Sequence, residues 1–164
     1  MTALNAGKNA PAVSLPTLDG KKFSLDEALR RGPVVLAFFK VTCPVCQFTF
    51  PYLERIHQAH HAKASIVGVC QNPKKDAAAF AREYGITFPV LLDDPSRYPA
   101  SNAYGINYVP SIFLISPAGE IQLSSVGWSR ADLEDLNRRL AEAASVAAAP
   151  LFRKGEDVPA SKSG

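Results

Sequence analysis

The chain has 164 residues, 47% of them apolar and 20% charged, with a formal net charge of +3. It is long enough for one domain with a good core, and its composition is ordinary globular without extreme bias. Scattered Lys and Arg argue against nucleic-acid binding, no apolar run approaches the roughly 18 residues of a membrane span, and three cysteines are too few for a disulfide-stapled secreted fold.

Residues 1–10 read as a loose arm. Met1 to Ala12 lacks the charged start, apolar middle and cleavage site of a signal peptide, so a cytoplasmic location is expected for the chain as it stands, and a periplasmic one if a leader has been removed. Val13-Ser14-Leu15-Pro16 and Lys22-Phe23-Ser24-Leu25 flank Asp19-Gly20, a strong turn pair, which predicts a small β-hairpin. Ser24 and Glu27 form a capping box for a short helix to about Arg30, and Gly32-Pro33 breaks it. Pro33 to Phe39 is a continuous apolar run of strand length, as expected of a central parallel strand buried on both faces. From Gln47 to about Ala62, Phe50, Leu53 and Ile56 recur at helical spacing, and Pro51 within this helix should kink it.

At the junction of that strand and helix stands Thr42-Cys43-Pro44-Val45-Cys46. Proline suits the first helical position, where its missing N–H costs nothing, so Cys43 is the expected N-cap. Its sulfur would lie near the free N–H groups of Val45 and Cys46, and these donors with the helix dipole favour thiolate. Cys46 lies on the same side of the first turn, about 5–6 Å away at Cβ, which a modest adjustment brings into disulfide range. A reactive thiol beside a resolving thiol is a two-electron redox centre. The alternatives are half of a metal site or two inert thiols. There is no second Cys-x-x-Cys, and the pair opens a helix after an apolar strand, so redox chemistry is the stronger reading.

His57, His60 and His61 fall late on the helix. A metal site is one option, but with no further ligand nearby a solvated C-terminal turn is expected. Ser65 to Cys70 predicts a second parallel strand. Cys70, at its end, reads as a buried apolar residue, with a third redox thiol as the sharper alternative. Pro73 opens a helix bearing Ala77, Phe80, Ala81 and Tyr84 on one face, ended by Gly85, and Val90-Leu91-Leu92 is a short strand. Tyr98 to Tyr104 is a short helix. Ser111–Ser116 and Glu120–Ser125 are strands joined by Pro117-Ala118-Gly119 as a hairpin. Trp128 is expected in the core rather than lining the site. Ser129 caps a last helix whose apolar stripe runs Leu133, Leu136, Leu140, Ala143, Ala147. Residues 148–164 read as a mobile C-terminal tail, with Leu151-Phe152 as a docking point. The organisation expected is therefore an arm (1–10), one domain (11–147) and a tail (148–164), in an α/β fold with a central mixed sheet flanked by helices.

Four features give the chain a family resemblance over roughly residues 10 to 142. They are the strand–Cys43-Pro44-Val45-Cys46–helix junction, Pro51 eight residues after Cys43, Tyr84-Gly85-Ile86-Thr87-Phe88-Pro89-Val90, and Val109-Pro110-Ser111-Ile112-Phe113-Leu114-Ile115. In these it resembles the redoxin branch of the thioredoxin superfamily, which holds the peroxiredoxins and the TlpA-like thiol-disulfide oxidoreductases (the AhpC/TSA type). The resemblance implies a thioredoxin-like fold with an N-terminal hairpin and an inserted helix and strand between the second parallel strand and Pro110. It implies that Pro110 is cis and faces the redox pair, and that Val109 offers a backbone edge where substrate binds as an added strand. Thr42, Pro44, Val45, Val109 and Pro110 are the expected substrate-binding residues, and Cys43 and Cys46 the catalytic ones.

The implied chemistry is thiol exchange. Cys43 attacks a disulfide in a protein or small-molecule substrate, Cys46 resolves the mixed disulfide, and an external thiol or thioredoxin-type reductant resets the pair. No cofactor or metal is needed, and a monomer is expected. Several positions depart from the family pattern. Ala37 stands where thioredoxins have a buried Asp, Asn72 is the closest match to a Glu frequent in TlpA-like reductases, and Thr42 replaces the usual Trp. Lys40 stands where peroxiredoxins place a Thr or Ser for peroxide, three residues before the first cysteine. That departure disfavours a thiol peroxidase, the alternative function, because the oxygen would lack its hydroxyl donor. A redox-dead binding module is weaker still, since both cysteines are present.

Overall fold

A computed structural model describes residues 2–164. The elements in order are β1 (Ser14–Pro16), β2 (Lys22–Ser24), α1 (Leu25–Leu29), β3 (Val34–Phe39), α2 (Pro44–His60), β4 (Ser65–Cys70), α3 (Lys74–Tyr84), β5 (Val90–Leu92), α4 (Pro99–Ala103), β6 (Ser111–Ile115), β7 (Ile121–Val126), β8 (Trp128–Ser129), α5 (Arg130–Ala143) and β9 (Ser161–Lys162). The main sheet has the order β5-β4-β3-β6-β7. Strands β3, β4 and β5 are parallel, whereas β6 and β7 run antiparallel, so the sheet is mixed as expected. The hairpin β1–β2 and the α3–β5 insertion also form where the sequence predicts them.

Strand β3 is the middle of this sheet, and all six of its residues are buried. Side chains alternate between faces along a strand. Val35, Ala37 and Phe39 therefore join one core with Phe50, Leu53 and Ile56 of α2, Phe80 of α3 and Leu133, Leu136 and Leu140 of α5. Val34, Leu36 and Phe38 join a second core with Leu25 and Leu29 of α1, Leu15 of the hairpin and Tyr104. Two covered faces are why this stretch reads as an unbroken apolar run instead of an alternating one.

The chain ends differ from expectation. The arm is bound to the domain: Leu4 N–H donates to the Tyr104 carbonyl (3.1 Å), Gly7 N–H to that of Ile121 (2.8 Å), and Ser124 Oγ to that of Leu4 (2.6 Å). Helix α5 stops at Ala143, and both Ala143 and Ala147 are exposed, so the apolar stripe is shorter than predicted. Beyond it, residues 148–164 lie along the domain rather than swing free. Leu151 and Val158 are buried. The Arg55 guanidinium holds the Glu156 carboxylate with two hydrogen bonds (2.7 and 2.6 Å) and pulls its pKa down to about 2. Trp128 is buried as expected, and its indole Nε1–H donates to the Pro159 carbonyl (2.7 Å). Only the tertiary fold supplies that partner.

The late histidines are not all solvated. His60 is buried and its Nε2 pairs with Asn137 Oδ1 at 2.8 Å, while His57 keeps a buried Nδ1 without a partner. Among the described residues, no group of three or more His, Cys, Asp or Glu could hold a metal ion, and no helix is long and apolar enough to cross a membrane.

Candidate active site

The central strand delivers the Cys43–Cys46 segment to the carboxyl edge of the sheet. Cys43 is the N-cap of α2 with extended backbone (φ −80°, ψ 114°), and Pro44 opens the helix. Its carbonyl accepts the first helical hydrogen bond from Gln47 N–H (3.0 Å), and its Sγ accepts Cys46 N–H at 3.2 Å. A free amide at the positive end of a helix thus points at the sulfur, which is where negative charge is stabilised. Cys43 is half-buried, with Thr42 and Pro44 exposed on either side of it. Cys46 is fully buried on the core-facing side of the helix, and that burial, followed by the neighbouring Cys43 sulfur, pushes its thiol pKa up.

The Val109–Pro110 peptide is cis. It stands against the dithiol, with the Val109 carbonyl accepting from the Cys43 thiol at 3.5 Å. The Val109 carbonyl therefore meets Cys43 across a separation of 66 residues, while Thr42, Pro44, Val45 and Cys46 are neighbours of Cys43 in the chain and Pro110 follows Val109. Val45 packs partly buried against the core and is less available than its neighbours. Lys40 is exposed.

Two positioning residues were not anticipated. Asn72 Oδ1 accepts Val41 N–H (2.9 Å), and Gln47 Nε2 donates to the Val41 carbonyl (2.9 Å). Together they pin both polar groups of Val41, the residue before the Thr42-Cys43 turn. Asn72 was visible only as a missing Glu. Its partner lies 31 residues away, so local pattern carries no signal for it. Gln47 could have been noticed as a polar residue in the first turn of an otherwise apolar helix face. Asn72 N–H also donates to Cys70 Sγ at 3.4 Å.

Cys70 is fully buried, and burial pushes its thiol pKa up to about 11 from 9.0. We expect mild oxidation to give one disulfide, Cys43–Cys46, with Cys70 left reduced on mass mapping. A bridge to Cys70 would establish the three-thiol alternative. Because the folded state holds this proton more tightly than the unfolded one, the contribution of Cys70 to stability is lost as pH rises from 9.0 through about 11. Melting curves of Cys70→Ala across that interval should fall less steeply than those of the parent.

A buried mixed sheet delivering a Cys-x-x-Cys pair to a helix N-terminus, opposite a cis-proline, defines a dithiol protein of the thioredoxin fold. The chain belongs to the AhpC/TSA family, whose model matches residues 6–124. It is 32% identical over 124 residues (74% of this chain, 69% of the relative) to the thiol-disulfide oxidoreductase ResA of Geobacillus thermodenitrificans. It is 30% identical over 128 residues (76% and 73%) to the thioredoxin-like protein YneN of Bacillus subtilis. Among solved structures, a thiol:disulfide interchange protein of the thioredoxin family from Chlorobium tepidum matches with a TM-score of 0.69 and 26% identity, over 87% of this chain and 99% of that one.

Proposed function

We propose that the protein is a thiol-disulfide oxidoreductase whose nucleophile is Cys43 and whose resolving thiol is Cys46. The observation that carries this is the asymmetry of the pair. One sulfur is half-exposed and receives a helix N-terminal amide, while the other is fully buried one turn in. The names of the ResA relatives agree with it.

The reaction is two exchanges. Cys43 thiolate attacks one sulfur of a substrate disulfide, forms a mixed disulfide and expels the other sulfur as thiolate. Cys46 then attacks Cys43 Sγ, the bond from Cys43 to the substrate sulfur breaks, and the Cys46 proton passes to the departing substrate thiolate. Reduced substrate leaves and Cys43–Cys46 is oxidised, so two electrons have passed to the substrate. The high proton affinity of Cys46 keeps it a thiol until the mixed disulfide needs it. Thr42 and Pro44 form the exposed rim over which substrate arrives, Val45 backs them, and Val109 and Pro110 form the opposite wall. An external thiol or thioredoxin-type reductant restores the dithiol, and the working unit is a monomer of one domain (11–147) with its two flanking segments.

Offering the reduced protein hydrogen peroxide and an oxidised protein disulfide side by side tests this reading. Oxidation by the disulfide should be the faster by orders of magnitude, because the Lys40 position supplies no hydroxyl to hold a peroxide oxygen. Faster oxidation by peroxide would replace the reading with a thiol peroxidase.

A further inference from the structure

The Val109 edge, where a substrate strand would add, is not open. Its carbonyl receives the Cys43 thiol, and the segment that follows α5 returns to the same carbonyl. Ser161 and Lys162 pair antiparallel with Ser129 and Trp128, and Arg130 N–H donates to the Ala160 carbonyl at 3.0 Å. Lys162 Nζ stands 5.0 Å from the centre of the Phe48 ring, one turn of α2 beyond Val45. A Cβ placed on Gly164 would lie 2.1 Å from the Val109 carbonyl oxygen. A Cβ on Gly127, which has φ +77°, would lie 2.6 Å from the Lys162 carbonyl oxygen. The three backbones therefore meet more closely than any side chain at these two glycines permits.

We infer that Ser161–Gly164 is a specificity-determining segment of the active site. It occupies the Val109 edge, so the disulfides that reach Cys43 are compact ones entering over Thr42 and Pro44. An extended polypeptide cannot pair with Val109 while the segment is in place. This rests on the oxidoreductase reading above and narrows its substrate class to disulfides of small molecules or of tight, protruding loops.

Two variants test it: a chain ending at Ala160, which keeps the Trp128–Pro159 and Arg130–Ala160 hydrogen bonds, and full-length Gly164→Val, whose added Cβ must lift the segment from Val109. Each is compared with the parent in two assays. In the first, Cys43 is labelled by N-ethylmaleimide or by the same maleimide on an extended peptide, with mass mapping of the product. In the second, glutathione disulfide and an unfolded protein disulfide are reduced. In both variants, peptide-maleimide labelling and protein-disulfide reduction should rise roughly tenfold, while the two small probes change less than about twofold, as for removal of a competing strand. If the truncated chain fails to fold, judged by Trp128 fluorescence, Gly164→Val alone carries the test. Unchanged ratios between large and small probes, or slower reaction of the large ones, would overturn the inference. Labelling reads the screening without turnover. A shift in labelling with no reduction of any disulfide therefore retains the screening by Ser161–Gly164 and instead overturns the oxidoreductase reading.

Discussion

Cys46→Ser is expected to accumulate a covalent adduct with substrate, and Cys43→Ser is not. The two thiols have the same intrinsic chemistry and differ in place. Cys43 Sγ lies half-exposed at the helix N-terminus, where a disulfide can approach in line. Cys46 is fully buried, on the stripe that continues through Phe50 and Leu53 into the core, and its raised proton affinity leaves little thiolate at neutral pH. With Cys46 replaced, the mixed disulfide on Cys43 has no near thiol to release it and persists until an outside thiol arrives. With Cys43 replaced, Cys46 can neither be reached nor ionise readily. Turnover should fall by at least roughly three orders of magnitude in both variants, since each removes one obligatory partner of a unit. Thiol blocking followed by a non-reducing gel separates them, with a substrate band for Cys46→Ser alone. Equal adducts from both would mean that both sulfurs are open to solvent, and the division of labour would have to be abandoned.

Removing residues 148–164 is expected to destabilise the whole domain, not only to shorten it. The segment buries Leu151 and Val158, worth about 1.5–3 kcal/mol each when fully covered. It supplies the Pro159 carbonyl to Trp128 Nε1, a hydrogen bond whose net contribution is about 0.5–1.5 kcal/mol once water can replace it. It also supplies the Ala149 carbonyl to Asn137 Nδ2, and Asn137 in turn holds the buried His60. The sum is on the order of 5 kcal/mol, which for a chain of this size corresponds to a fall in Tm of about 10–20 °C. Part of this anchoring is acid-sensitive. Arg55 lowers the folded-state pKa of Glu156 from 4.5 to about 2, so its contribution is complete above pH 4.5 and lost as pH falls through about 2. A thermal melt monitored by Trp128 fluorescence checks the prediction. A Tm within a few degrees of the full chain would return residues 148–164 to the status of a loose tail.

Much of the site is legible in the sequence because it is local. A cysteine at N-cap, a proline at the first helical position and a second cysteine one turn on are features of consecutive residues, and the hydrogen bond from Cys46 N–H to Cys43 Sγ follows from helix geometry. The burial of β3 on both faces is likewise written in its unbroken apolar run, and the burial of Cys70 in its position at the end of an apolar strand. The approach of Val109-Pro110 to the dithiol was legible only through family resemblance, since nothing in the composition of those residues places them beside Cys43.

What the tertiary structure decided is the set of contacts between residues far apart in the chain, for which a polar or small residue leaves no periodic mark. Asn72 looks like an ordinary loop residue until its side chain meets Val41, and His60 like a solvated helix end until Asn137 covers it. Residues 148–164 are rich in Pro, Gly and charge, the composition of a mobile tail. Their order comes from a few anchors, Leu151, Glu156, Val158 and the Pro159 carbonyl, each meeting a group that waits on the folded domain. The local pattern therefore set the half-buried Cys43 at the helix N-cap, the helix amide that points at its sulfur and the strand that carries it. Long-range packing set which surfaces around that cysteine stay open, because access depends on what returns to cover the Val109 edge.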